Sequence, residues 1–152
     1  MPNWLMKSEP EEFSIDDLRQ RPNQTEPWNG VRNYQARNLI RDEMQKGDLA
    51  FFYHSSCEEP GIAGIMSIAS SAYPDPTAFD PKGKYYDPKS RPDAPTWYLV
   101  DVKFKRKMKC IIPLGELKDH KPLQRMKLLQ RGSRLSIMAV TQQEWDYILQ
   151  LE

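Results

Sequence analysis

Apolar and polar positions alternate along this chain in short, well-punctuated runs. Trp4-Leu5-Met6 is an apolar stretch stopped by Pro10 and predicts a first strand. Phe13-Ser14-Ile15-Asp16-Asp17-Leu18 reads as a helix start: Ser14 can cap, Asp17 can complete a variant capping box, and Phe13 can staple onto Leu18. A second helix is predicted from about Tyr34 to Gln45, with Asn33 as its cap and Gly47 as its stop. Leu49–His54 and Gly61–Ala69 have the content of buried strands, and Gly64 marks a bend or a close approach. Trp97–Phe104 places Tyr98, Val100, Val102 and Phe104 on one face of a strand. Ile111-Ile112 is its expected partner after a basic turn. Pro122 suits the first turn of a helix carrying Leu123, Met126 and Leu129 and stopped by Gly132. Leu135–Val140 predicts a last strand. Thr141-Gln142-Gln143-Glu144 then supplies a full capping box for a closing helix, with Val140 stapled to Trp145.

Short strands with helices inserted early and late, and no regular βαβ alternation, predict an α+β fold with a curled or barrel-like sheet. No repeat or linker divides the sequence, and 152 residues suit a single domain over 1–152. Between Tyr73 and Pro95 lies a long loop with six prolines. Phe79, Tyr85 and Tyr86 argue that it is ordered, since disordered segments are poor in aromatics.

Composition narrows the function classes. No apolar run approaches the roughly 18 residues a membrane helix needs, and the N-terminus lacks the order of a secretory signal. A cytoplasmic protein without a membrane partner is therefore expected. Cys57 and Cys110 are widely separated and without ligand spacing, so neither a metal site nor a cofactor is implied. The net charge of +1 conceals an asymmetry. Residues 1–75 carry seven basic against twelve acidic side chains, and residues 76–152 carry fifteen against nine. The basic excess is densest over Lys103–Lys109, which suits either attraction of a polyanion or a strand edge guarded by lysines.

Candidate chemistry is sparse. His54 stands beside Ser55 and Ser56, so a Ser–His arrangement is conceivable, although a strand-end histidine bonded to a loop is the simpler reading. No phosphate-binding loop, dinucleotide fingerprint or nucleophile elbow is present. More distinctive is Pro27-Trp28-Asn29-Gly30-Val31-Arg32-Asn33-Tyr34-Gln35-Ala36-Arg37-Asn38, which sets an indole, a glycine, an arginine and asparagines just ahead of a helix. An aromatic face beside planar hydrogen-bonding groups suits a flat heterocycle, with stacking worth roughly 1–3 kcal/mol per base. The alternative is that Trp28 plugs the core while Asn29-Gly30 makes a turn.

These residues carry a family resemblance. Trp4-Leu5-Met6-Lys7-Ser8-Glu9-Pro10, Phe13-Ser14, Asp17-Leu18 and the Trp28–Asn38 segment resemble the EVE domain. So, in order, do Gly47-Asp48, Phe52-Tyr53-His54-Ser55, Gly61-Ile62-Ala63-Gly64, Tyr73-Pro74-Asp75, Tyr86-Asp87-Pro88-Lys89, Trp97, Val100-Asp101-Val102, Gly132-Ser133-Arg134-Leu135-Ser136 and Glu144-Trp145. Ala139 departs from the pattern, standing where a proline is expected before Val140.

The resemblance implies a PUA-like fold, a small curled β-barrel with flanking helices, similar to ASCH and YTH domains. It further implies non-catalytic binding of a modified base flipped into an aromatic pocket, a modified cytosine in DNA rather than the modified adenine in RNA that YTH domains read. By position, Trp28 would be the stacking wall, and Lys7, Ser8, Asn29 and Val31 would supply edge contacts. Tyr53 and His54 would meet the pocket at a strand end, and Tyr86 and Asp87 would close over the base. Arg32, Arg134 and Ser136 would hold phosphates or the rim. Two other readings stay open: an enzyme acting on a modified base or nucleotide with His54 or Asp87 as acid–base, and a protein-interaction module using loop 73–95.

Overall fold

The computed structural model describes residues 3–130 and 135–152. Its strands in chain order are β1 (Asn3–Ser8), β2 (Thr25–Pro27), β3 (Leu49–His54), β4 (Gly61–Ile68), β5 (Tyr73–Pro74), β6 (Tyr98–Leu99), β7 (Asp101–Pro113) and β8 (Ile137–Val140). The helices are α1 (Ile15–Gln20), α2 (Tyr34–Asn38), α3 (Leu114–Lys118) and α4 (Gln142–Leu149). Six strands form one curled sheet in the order β2-β7-β4-β3-β1-β8, and β5 and β6 pair separately. The architecture is the α+β, curled-sheet arrangement expected. Among the described residues no helix is long and apolar enough to cross a membrane.

β1 and β3 are parallel neighbours, with Lys7 opposite Tyr53 and Ser8 opposite His54. The chain between them must therefore cross the sheet, and α1, β2 and α2 lie on that path. Ser14 caps α1 by accepting from the Asp17 N–H at 3.1 Å, while the Asp17 carboxylate accepts from the Ser14 N–H at 2.9 Å. Gly64 lets this helix sit down on the sheet. A Cβ there would meet Ile15 Cδ1 at 2.7 Å and the Arg106 carbonyl at 2.9 Å.

Core packing divides by sheet face. Trp4, Met6, Phe52 and Met66 belong to one cluster with Ile15, Leu18, Trp28 and Val31. Leu5, Phe51, Tyr53 and Met138 belong to the other with Trp145 and Ile148 of α4. This partition follows from the two-residue period of strands.

Three expectations are corrected. The basic run Lys103–Lys109 is the middle of one 13-residue strand, β7, and not a turn. It contains none of the Gly, Asn or Pro that a tight reversal needs. The region after Pro122 forms two 3-10 turns, Lys121–Leu123 and Lys127–Leu129, instead of an α-helix. Its apolar spacing of three matches the tighter helix, and its expected stop, Gly132, lies outside the described residues. The second helix keeps its Asn33 cap but is α-helical only to Asn38, and a π-helical turn, Leu39–Glu43, completes it.

Candidate nucleic-acid interface

β1 ends at Ser8, and beyond that end a cavity of about 360 Å³ opens. Its lining includes Lys7, Ser8, Phe13, Trp28, Asn29, Gly30, Val31, Arg32, Tyr85 and Ser136, with Glu9, Glu12, Arg21 and Glu26 at its polar margin. The end of β1 is tied to two neighbouring segments here: the Lys7 N–H donates to the Ser136 carbonyl at 2.8 Å, and Ser8 Oγ donates to the Phe13 carbonyl at 2.6 Å. Burial of the Lys7 ammonium lowers its pKa, and its Nζ lies 5.8 Å from the Tyr53 ring centroid.

Trp28 takes both roles weighed for it. It lines the cavity, yet it is only 8% exposed. Phe52 and Phe13 meet it edge to face, at 5.4 and 6.4 Å between centroids. Its backbone N–H donates to the Val100 carbonyl at 2.9 Å. The indole is thus a core member with a small part turned to the cavity, so truncating it removes packing as well as surface.

Gly30 adopts φ +83° and donates its N–H to Asp75 Oδ2 at 2.9 Å. Asp75 is fully buried and also accepts from Thr77 N–H, Thr77 Oγ1 and Arg32. Burial pushes this carboxyl up, but the hydrogen bonds from Thr77, Gly30 and Arg32 outweigh it and hold the pKa below its ordinary value.

Of the two parts expected for Arg32, a phosphate ligand or the rim, its hydrogen bonds favour the rim. A guanidinium has five N–H donors, and all of them find acceptors within the chain. Nε and Nη2 donate to the Tyr85 carbonyl, Nη1 to the Val31 carbonyl and Asp75 Oδ2, and Nη2 also to Thr77 Oγ1. It lines the rim, but it has no donor left for a phosphate in this arrangement.

Several other positions fall elsewhere. Tyr53 is buried in the opposite cluster, where burial pushes its phenol up to about 12. His54 is buried behind Phe52 and accepts from the Ile15 N–H at 3.2 Å, so its Nε2 holds the start of α1. Asp87 accepts from Trp97 Nε1 at 2.7 Å, and neither it nor the exposed Tyr86 lines the cavity. The loop residue that does is Tyr85, one position earlier. Ser136 lines the cavity, and Arg134 is outside the described residues.

Phe13, Tyr85 and Arg21 were missed as cavity residues. The sequence presents Phe13 as a staple for α1 and as part of a family motif, whereas in the structure it packs on Trp28 and Phe52, with the Arg21 guanidinium 5.2 Å from its centroid. The available signal for Tyr85 was Gly30, because a glycine in an aromatic segment invites a ring onto its backbone.

Two of the basic side chains of β7 are paired within the chain, and no residue of this strand lines the cavity. Lys107 pairs with Asp16 at 3.0 Å and Arg106 with Glu152. β2 covers only Asp101–Lys103 along its side of β7, so the lysines farther along guard an open edge.

Comparison with known proteins agrees with this topology. Residues 2–151 match the EVE domain. Human thymocyte nuclear protein 1 is 53% identical across 99% of this chain and 73% of its own length. The crystal structure of human THYN1 protein in complex with 5-methylcytosine-containing DNA superposes with a TM-score of 0.95 at 52% identity, covering 99% of this chain and 97% of that one. A crystal structure from Pseudomonas putida gives 0.94 at 50% identity, with 98% of each chain covered. With its cavity at the same sheet end as the Trp4–Pro10 and Trp28–Arg37 motifs, and with the whole described fold matched, the chain belongs to the EVE domain family.

Proposed function

We propose that this chain binds DNA containing 5-methylcytosine, receiving the modified base in the cavity walled by Phe13, Trp28 and Tyr85. The observation that carries this reading is the near-complete likeness to human THYN1 protein, whose structure holds 5-methylcytosine-containing DNA. Geometry adds support: the cavity has the size of a small flat ligand, with aromatic carbon on its walls and polar groups at its margin. Extruding a base costs a few kcal/mol in lost stacking, which aromatic contacts and edge hydrogen bonds must offset. Lys7, Ser8 and Asn29, with the backbone around Val31, are the groups available to contact its edge.

His54 and Asp87, the acid–base candidates of an enzymatic reading, are engaged with Ile15 and Trp97 and lie away from the cavity lining. No specific observation therefore favours catalysis over recognition. The test is fluorescence anisotropy with duplexes differing only in one 5-methyl group, alongside matched RNA. Tighter binding of the methylated DNA is expected. Equal affinity for methylated and unmethylated duplexes would remove the proposed ligand.

A further inference from the structure

We infer that Tyr85 is a base-contacting wall of the cavity and that Arg32 is its positioning residue, holding the ring without touching DNA. This inference rests on the proposed reading of the cavity as a base site. The two residues are far apart in sequence, and the structure joins them through the backbone of the Pro-rich loop.

The Tyr85 ring sits directly on Gly30. A Cβ at Gly30 would lie 2.6–2.8 Å from ring carbons Cζ, Cε1 and Cε2. The hydroxyl end reaches toward Glu12, 3.5 Å from its Oε2, and the adjacent Lys84 pairs with the same carboxylate. The loop thus spans from the Gly30 segment to the turn before α1. Its one half-buried aromatic at the cavity is Tyr85, while Tyr86 beside it is exposed.

Arg32 fixes that placement twice. Two of its nitrogens hold the Tyr85 carbonyl, at 3.2 and 2.7 Å, and its guanidinium lies 5.6 Å from the Tyr85 ring centroid. The same guanidinium lies 5.4 Å from the Trp97 centroid. Trp97 packs on Tyr34 at 5.0 Å, and the Arg37 guanidinium is 5.1 Å from the Tyr34 ring. A continuous run of cations and rings therefore extends from α2 to the cavity, in the order Arg37, Tyr34, Trp97, Arg32, Tyr85. Each step is a cation–π or ring contact. Trp97 is also tied to the loop through Asp87. The network determines where Tyr85 stands, and Trp28, with only 8% of its surface exposed, leaves Tyr85 as a principal aromatic surface for a base.

The experiment measures the Kd of a duplex carrying one 5-methylcytosine across a series of NaCl concentrations, with thermal unfolding confirming that each variant is folded. For Tyr85→Ala the expected result is a loss of roughly 5- to 150-fold at every salt concentration, the range set by base–aromatic stacking. Tyr85→Phe keeps the ring and should restore affinity to near wild type. Arg32→Lys keeps the charge but not the fork, so affinity should fall while the slope of log Kd against log salt stays unchanged. Removing a phosphate contact with Arg32→Gln would reduce that slope by about one; a positioning residue leaves it alone. Methyl-dependent binding by wild type with unaltered affinity in Tyr85→Ala overturns the wall and leaves the proposed ligand standing. A reduced slope in Arg32→Gln overturns the positioning role. Wild type without methyl-dependent binding removes the base-site reading and this inference with it.

Discussion

The two faces of the sheet are held in different ways. On one, α4 and the 3-10 turns cover Leu5, Phe51, Ile62 and Met138, and Trp145 stacks on Phe51 at 3.9 Å with 18° between planes. On the other, Trp4, Met6, Phe52 and Met66 are covered by α1 and the Trp28–Asn38 segment, but the cover stops short of the sheet end and leaves the cavity. Polar groups hold that unfinished side in place: Asp75 binds Gly30 and Arg32, and His54 holds Ile15. Apolar burial is non-directional and supplies stability. Hydrogen-bonded networks add less net stability but fix geometry. A closed face and a receptive face therefore require different residues.

Breaking the closed face should give the largest effect. Trp145→Ala removes the indole from Phe51 and should lower unfolding free energy by about 3–5 kcal/mol, measured by urea denaturation. The fraction still folded should bind DNA with wild-type affinity, because Trp145 lies on the face away from the cavity. Weakened binding by folded Trp145→Ala protein would mean the faces are not separable.

Asp75→Asn tests the receptive face. It keeps the shape but turns an amide toward donors that need an acceptor, at a cost of about 1–3 kcal/mol. DNA affinity should drop along with stability, since the amide keeps only one acceptor oxygen, and either Thr77, which donates to Oδ1, or Gly30 and Arg32, which donate to Oδ2, lose theirs. Acid should produce a related effect in the unmodified chain. The folded pKa of Asp75 lies below its ordinary value of 3.8. Its contribution is therefore present above that value and is lost as pH falls through the lower folded value.

The same contrast explains what could be read from the sequence. β3 and both capping boxes are local: a continuous apolar run and a cap are written within a few residues, and they stand where expected. The Trp4–Pro10 and Trp28–Arg37 segments stand out in the sequence through their unusual aromatic and polar content, and parts of both line the one cavity. The error of one residue in the loop has a different origin. Tyr85 and Tyr86 are chemically alike, and only the fit on Gly30, 55 positions away, decides which one faces the cavity. For Arg32, likewise, the sequence leaves phosphate and rim open, because the acceptors that engage it, at Asp75, Thr77 and Tyr85, are distant in sequence. Long-range pairing was the illegible part.

Gly30→Ala probes that pairing with a single methyl group. The backbone at φ +83° strains any side chain, at about 1–2 kcal/mol, and the new Cβ would displace the Tyr85 ring. Affinity for methylated DNA should fall beyond what the stability loss explains. Thermal unfolding beside anisotropy on the same preparation separates the two. Binding that survives unchanged would show that the ring's seat on Gly30 is dispensable.

The smallest expected effect concerns His54. Burial lowers its pKa from the ordinary 6.5; Lys107 reinforces that shift, while Asp16 and Asp17 oppose it. Neutral His54 accepts from Ile15 N–H, and protonation at Nε2 would remove that acceptor and charge a group packed edge-on to Phe52. Because the folded pKa lies below the unfolded one, the contribution is complete above about pH 6.5 and declines as pH falls through the folded value. This window opens near pH 6.5 and that of Asp75 only near 3.8, so the upper part of a pH series reads His54 without Asp75. Urea midpoints taken from pH 7.5 down to 5 should show a shallow decline in wild type. His54→Gln retains an acceptor for Ile15 without titrating, and its profile over the same range should be flatter. Parallel profiles would mean that the decline arises from other groups on the receptive face.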